Sequence, residues 1–531
     1  MGTENSSQDI AQSGVSRRSF LGSLGAGSGY LVLGDVNNAG ANGTGTSSKE
    51  GHILVGHADA CPEPEAEGRL YIAIDTGERF YDTSDQWQSL DITAPTGKFE
   101  DLQAKNTEIG IHESPFKPLR RSYDARDRWV STGWLKDNFE DLSDWKVVSG
   151  SMSADENNAF LADQSAKLTT ANVDEEVVIE KSIDATDFSD WDVSIGARLD
   201  SSAGNRQHVE VVLLDGSNRS LVYRGPMQSN EGWVQSNMGV YSEDSGVDIT
   251  NIQTIRIRIP PAGHQITTFS PATGTHADQQ TEGPLQEGTI KAWVDNLRYH
   301  PRPDTAQCVL TFDDATISHY KFAFPIMQEF GFSGFASAPT DSIGSEDNLT
   351  IEQMHEMQQY GWEFGSETQT HSHTSQLSPE EIRTELEGSK RWLLEHGFDR
   401  GAEFLTYPYS DHSEEVVDIA SDYYAMARSV ADSFIGDGLN RATLTNPLHI
   451  VGHSVYSSNI SETKSFIDLA VKYNQTIVLN FHGFNEYAWK EMHPDEFREV
   501  VEYLHSKGPD GLQVVSYSDW WDNLSSFHIG E

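Results

Sequence analysis

The sequence predicts a multidomain chain: a small β-hairpin module and an antiparallel β-sandwich, followed by a parallel α/β barrel. Three observations lead there. At 531 residues the chain exceeds what one hydrophobic core accommodates. From about Trp129 to Pro303 it reads as short β runs between polar turns, with no helix-length periodicity. After "HPRPDTAQ" the texture changes to strand-like runs alternating with amphipathic helices.

Taken in order, residues 1–40 hold "SRRSFLGSLGAGSGYLVLG" (Ser16 to Gly34), where Arg17 and Arg18 precede a modestly apolar, glycine-rich run. This resembles a twin-arginine signal peptide, cut near Ala39 or Ala41, and implies an extracellular or cell-surface protein exported by that route. The run is too short for a stable span, so no transmembrane segment is expected after cleavage. Residues 41–66, rich in Gly, Asn, Ser, Thr and acids, read as a linker. In residues 67–95, "GRLYIAIDTGERFYDTSDQW" alternates Leu70, Ile72 and Ile74 and turns at Asp75-Thr76-Gly77, a β-hairpin signal.

Charge narrows the function classes. Eighty-two acidic residues against thirty-seven Lys and Arg give a net charge of −45, which leaves no basic footprint for nucleic acid. Twelve Trp, 23 Phe and 18 Tyr supply core surface, so the acidity fits a halophilic fold in multimolar salt better than disorder. Two cysteines, Cys61 and Cys308, exclude a disulfide framework and leave metal binding to His and carboxylates.

In residues 128–302 the clearest strands are "EEVVIEKSI", "WDVSIGARL", "HVEVVLLD", "TIRIRIP" and "TIKAWVDNLRY". The opening "NFEDLSDW" and closing "AWVDNLRY" resemble the ends of jelly-roll carbohydrate-binding modules. Trp129, Trp134, Trp145, Trp191, Trp233 and Trp293 either stack on sugars or fill the sandwich.

Residues 305–531 repeat strand and helix: "CVLTFDDA", "SGFASA", "WEFGSE", "EFLTYPY", "AMARSV", "LHIVGHSV", "TIVLNFHG" and "LQVVSYSDWW" carry the strands. One helix is marked at both ends, by Ser378, Pro379 and Glu381 at its start and Gly397 at its stop. Seven or eight strands with intervening helices predict the parallel barrel, whose chemistry lies at the carboxyl ends of its strands. Those ends read Asp313-Asp314, Glu367, Tyr407-Pro408-Tyr409, Arg428, His453 and His482. Two adjacent carboxylates after an apolar strand are costly without a cation or a split in their pKa values.

"LTFDDA", "SETQTH", "TYPY" and "VLNFHG", in that order, resemble the motifs of the polysaccharide deacetylases, the carbohydrate esterases with a nodulation-protein-B-type domain. The resemblance spans about residues 305–525 and implies an irregular (β/α) barrel. It implies Asp313 as general base, Asp314 as first metal ligand and His482 as general acid. Tyr409, after Tyr407 and Pro408 in the substrate groove, matches the residue whose backbone N–H helps hold the oxyanion. The family's second motif is His-Ser/Thr-x-x-His. Anchoring Gly365-Ser366 and Leu377-Ser378 sets His371 on its second His and Glu367 on its first, so the implied ligands are Asp314, Glu367 and His371. Such a set suits one divalent ion, Zn²⁺ or a harder Mn²⁺-like ion. His373 stands two residues on, either a substitute ligand or a solvent-facing loop histidine. Where the third motif commonly has an Arg that tunes the base, this chain has Thr406; the fourth motif's Asp and Trp are not visible, and Arg428 is the candidate to reach Asp313.

The leading expectation is an exported, metal-dependent deacetylase removing acetyl groups, N-linked before O-linked, from a polysaccharide or surface glycan. The alternative is a catalytically inactive glycan-binding or surface-structural protein on the same barrel.

Overall fold

The computed structural model describes strands 53–56, 70–73, 79–82 and 87–89, and residues 132–528 apart from 162, 173, 201–205, 262–288, 432–438, 441–443 and 486–491. The twin-arginine stretch, Cys61 and Trp129 lie outside the described residues. The chain divides into two compact units, Met1–Lys117 and Pro118–Glu531.

In the first unit Leu70–Ala73 pairs antiparallel with Arg79–Asp82, which continues to Trp87–Ser89. Ile53–Gly56 adds a parallel strand beside Leu70–Ala73. That strand sits inside the stretch read as linker. Four apolar or small residues, "ILVG", suffice for a short edge strand despite polar flanks.

The second unit begins with two six-stranded antiparallel sheets. One is built on Trp191–Leu199 and Lys291–Pro301, the other on Arg206–Asp215, Ser220–Gln228 and Ile252–Ile259. Period-two burial along Ser220–Gln228 and Ile252–Ile259 turns one side of that sheet inward. Val193, Ile195 and Val294 from one sheet meet Val211, Leu213 and Ile257 from the other in a shared core. Among the proposed stacking residues, Trp145 and Trp293 are buried, and their indole N–H groups donate to Asp137 and Asp155. Trp134 is 54% exposed and meets Trp191 edge-on at 4.9 Å.

The remainder is a closed barrel of seven parallel strands: β1 (Ala306–Phe312), β2 (Phe335–Ala338), β3 (Glu363–Ser366), β4 (Phe404–Thr406), β5 (Met426–Ala431), β6 (Ile450–Ser454) and β7 (Thr476–Phe481). Each pairs with the next, and β7 closes on β1 over six residue pairs. Two short strands lie outside the ring, Leu439–Asn440 antiparallel to β7 and Leu512–Val514 parallel to β1. Helices α1 (Phe324–Phe330), α2 (Ile351–Gln359), α3 (Pro379–Glu395), α4 (Glu414–Ala420), α5 (Ile460–Lys472), α6 (Pro494–Ser506) and α7 (Tyr517–His528) complete it. In α3, Pro379 opens the first turn and Glu381 accepts from the Ser378 N–H at 2.8 Å. Gly397, just beyond its end, takes φ +79°, the left-handed stop the sequence predicts. Ile382, Leu386, Ser389 and Leu393 then share one buried face. Cys308 is a free thiol buried in β1.

Sandwich and barrel are joined by side chains that complete each other's backbone. The Asn237 amide donates to the carbonyls of Asn446 and His449, and its oxygen accepts from the N–H groups of Thr445 and Asn446. Gln475 accepts from Val240 N–H, and Tyr473, beyond α5, is buried in the sandwich core. Among the described residues, no helix is long and apolar enough to cross a membrane.

Candidate active site

Asp313 follows β1 and its N–H still donates to Phe481 O at 2.9 Å, so the backbone ladder fixes it. Asp314 then turns left-handed, φ +68°. That reversal separates two adjacent carboxylates: Asp313 is buried among barrel strands, and Asp314 faces the loop after β3. Asp, Thr, His, Tyr and Ser residues in this region cluster in the same conformation: Asp314, Thr368, His371, Tyr409 and Ser410 all have positive φ. Such backbone is costly for side chains with a Cβ and concentrates at functional sites.

The Asp313 carboxylate accepts from Arg428 and, at 2.9 Å, from the Ser337 hydroxyl of β2. Its other oxygen lies 4.0 Å from His482 Nε2. Arg428 also donates to Thr406 Oγ1 at 3.2 Å, so a guanidinium does reach the place beside Thr406, from the neighbouring strand. Although buried, Arg428 is held firmly protonated: desolvation opposes its charge, and Asp313 chiefly outweighs it.

Glu367 lies 3% exposed just after β3. Its carboxylate accepts from Asp314 N–H at 2.8 Å and shares Ser337 Oγ at 3.2 Å. Burial first, and the nearby Asp313 second, push its carboxyl up to about 7. His371 Nε2 stands 3.5 Å from Glu367 Oε1 and 3.6 Å from Asp314 Oδ1. Burial disfavours its charge, but Glu367 and Asp314 outweigh that and raise the imidazole to about 9. The loop is held by Glu385 of α3, which accepts from the N–H groups of Gln369 and Thr370 at 3.0 and 2.8 Å.

Ligand atoms of Asp314, Glu367 and His371 all lie within 4.8 Å of one another. Separations of 3.5–3.6 Å match the edges of a tetrahedron around an ion with bonds of about 2.0–2.2 Å. Two carboxylates and one imidazole, with Glu367 and His371 both pushed up, fit a divalent cation. Beside them opens a groove of about 490 Å³ lined by Asp314, Asp341, Asp347, Asn348 and His371.

Other expected residues fall differently. Tyr407 is 2% exposed, stacks on His412 at 4.5 Å and donates to Leu448 O. It belongs to the packing behind the loop, and Pro408 is buried beside it, so neither lines the groove. Tyr409 alone of the three reaches the mouth, edge-on to His371 at 4.6 Å. His373 stacks on Tyr409 at 4.0 Å, with Nδ1 3.6 Å from Asp411; it is outside the three converging ligands. Arg428 is not a strand end, because β5 continues to Ala431. His453 faces outward: its Nε2 meets Thr463 of α5 at 2.9 Å and its ring packs on Phe466. A period-two count from the strand end would have separated it from the mouth.

Sequence reasoning missed Ser337, Glu385 and His319, whose Nε2–H donates to His482 O at 3.2 Å. A serine inside the otherwise apolar "FASA" was the one available signal; Glu385 looks like any acid on a solvated helix.

Fold and site together define a closed parallel (β/α) barrel with a cation-ready carboxylate–imidazole cluster at the carboxyl ends of its strands. Residues 301–426 match the family model "Polysaccharide deacetylase". The match ends before Arg428 and His482. A relative from Bacillus subtilis (strain 168), named "Putative polysaccharide deacetylase YxkH", is 33% identical over 124 residues, 23% of this chain and 44% of that protein. The chain thus spans less than half the length of that relative. Solved structures that resemble this chain include the Xyl-CE4 domain of a multidomain xylanase from the hindgut metagenome of Trinervitermes trinervoides. It shows 16% identity, a TM-score of 0.31, and coverage of 42% of this chain and 92% of that one. A family 4 acetyl xylan esterase from Clostridium thermocellum, in complex with a cobalt ion, shows 14% identity, a TM-score of 0.29, and coverage of 41% and 91%.

Proposed function

We infer that the barrel hydrolyses acetyl groups from a polysaccharide, N-acetyl before O-acetyl, with a divalent ion held by Asp314, Glu367 and His371. The observation that carries this reading is the placement of Asp313 between a buried Arg428 and His482, beside that three-ligand cluster.

A bound ion would polarise the acetyl carbonyl and acidify the attacking water. Asp313, oriented by Arg428 and Ser337, takes the proton from the attacking water. The Tyr409 backbone N–H serves the developing oxyanion. His482, across from Asp313, gives a proton to the departing amine, leaving acetate and a free amino sugar. Atoms balance with one water consumed per acetyl group released.

The wider setting belongs to the same proposal. The twin-arginine stretch exports the chain to the cell surface or medium, and Arg17→Lys with Arg18→Lys should retain it inside the cell. The sandwich, with Trp134 exposed for stacking, holds glycan near the barrel. Acetate release from N-acetylated and O-acetylated polymers tests the activity. Wild type should release acetate, a chelator should stop it, and Asp313→Asn should cut it about 10²–10⁴-fold. Glycan binding with no acetate release from either polymer set, at full metal loading, would instead favour the binding protein.

A further inference from the structure

Where the sandwich meets the barrel, a second group of ligand-type side chains shares no residue with the mouth cluster. Glu231 sits in the turn before strand Val234–Gln235. His412 follows the Tyr409 loop, and His449 precedes β6. Their ligand atoms lie within 4.8 Å of one another. Glu231 is 5% exposed and His412 1%.

The tautomer of His412 is fixed by its surroundings. Nδ1 lies 3.1 Å from Ser410 O, which can only accept, so Nδ1 carries a proton and donates it. Nε2 then faces Glu231 Oε1 at 2.5 Å, yet makes no properly directed hydrogen bond there. A lone pair held against a buried carboxylate is repulsive, so without an ion a proton bridges the two. The 2.5 Å separation is shorter than the edge two ligands of one ion span, and an ion held by bonds of about 2.0–2.2 Å would replace that proton and open the pair to about 3.3–3.6 Å. An ion pair would need only Glu231 and His412. The second imidazole is what a metal uses, and an Nδ1–H bound to a backbone carbonyl is the usual support for a ligating histidine.

The site is also braced before any ion arrives. Asn230 Nδ2 donates to His412 O, and Glu414 N–H donates to Asn230 O, both at 2.9 Å. Gly232 takes φ +69°, and a Cβ there would come within 2.5 Å of the Glu414 carboxylate, so the turn lies hard against the barrel. His449 is anchored through its own carbonyl, which accepts from Asn237 at 3.2 Å.

We propose that Glu231, His412 and His449 form a second divalent-cation site, of the Zn²⁺ type, that ties the sandwich to the barrel. Two imidazoles and a carboxylate suit Zn²⁺ better than the oxygen-richer mouth cluster does.

The test uses the full chain carrying His371→Gln, which disables the mouth cluster. After chelation, Zn²⁺ is titrated and bound metal counted. One ion per chain, a raised melting temperature, and the visible absorption of tetrahedral Co²⁺ on cobalt substitution are expected. All three should vanish when His449→Gln is added; the metal-free melting temperature should hold, because His449 is only half buried. Glu231→Gln is the second variant should His449→Gln misfold. No zinc in the His371→Gln chain would overturn the proposal and leave a Glu231–His412 ion pair. Zinc binding unchanged by both further substitutions would overturn it equally.

Discussion

The Arg428 guanidinium donates to the Asp313 carboxylate inside the barrel, both residues at most 3% exposed. A buried pair of this kind is strongly destabilised by removing one partner, since the other charge stays behind. Arg428→Met should therefore cost about 3–5 kcal/mol in chemical denaturation. Adding Asp313→Leu to it should recover part of that loss. A double variant that is the sum of the two single ones would show that the residues do not act as a pair.

Glu367→His should keep a bound ion and move preference from Mn²⁺ towards Zn²⁺, because a second imidazole replaces a hard oxygen ligand. Glu367→Ala should lose the ion from the mouth cluster. Competition between the two metals, read by elemental analysis on a His449→Gln background, separates the sites.

Acid should destabilise the barrel through two buried histidines. Burial lowers His453 and His319 to about 4, against about 6.5 in an unfolded chain. Between those values the unfolded chain binds protons that the folded one refuses. Their contribution is thus complete above about pH 6.5 and is lost as pH falls towards 4, roughly 3 kcal/mol for each. In His453→Gln, whose amide can still meet Thr463, the denaturation midpoint should drop less between pH 7 and 4.5 than in wild type.

Gly239 abuts Leu439, and a Cβ there would fall 2.4 Å from the Leu439 carbonyl oxygen. Gly239→Ala should cost about 1–3 kcal/mol. Because sandwich and barrel share Asn237, Gln475 and Tyr473, one calorimetric transition is expected for both in wild type. Two separated transitions in the variant would show where they come apart.

The −45 charge predicts a salt-dependent fold. At about 1 M salt the Debye length is roughly 3 Å and self-repulsion is largely removed. The melting temperature should climb steeply from 0.1 M to about 1 M KCl and flatten beyond. A melting temperature indifferent to salt would remove the halophilic reading.

The sequence showed the parts of this molecule that periodicity writes down. The barrel's strands and the ends of α3 come from apolar runs, Pro379, Glu381 and Gly397, all local signals. Asp313, Asp314, Glu367 and His482 were legible because each stands at the polar end of an apolar run; His371, in the loop beyond β3, came only from the family motif set between Gly365-Ser366 and Leu377-Ser378. Direction was not legible. His453 looked equivalent to His482, yet it lies one residue short of its strand's end and faces α5. Tyr407 and Tyr409 are chemically alike, and only the left-handed turn at Tyr409 decides which one reaches the mouth. Glu231, His412 and His449 come from segments that meet only in the folded chain, so no spacing rule could have assembled them.

The shared seam at Asn237 has a mechanical consequence. If the sandwich grips a polymer, tension on that polymer passes through Asn237 into Thr445, Asn446 and His449, the segment leading into β6, before any linker can absorb it. The two halves would then move as one body, with the gripped polymer and the barrel mouth keeping their spacing under load.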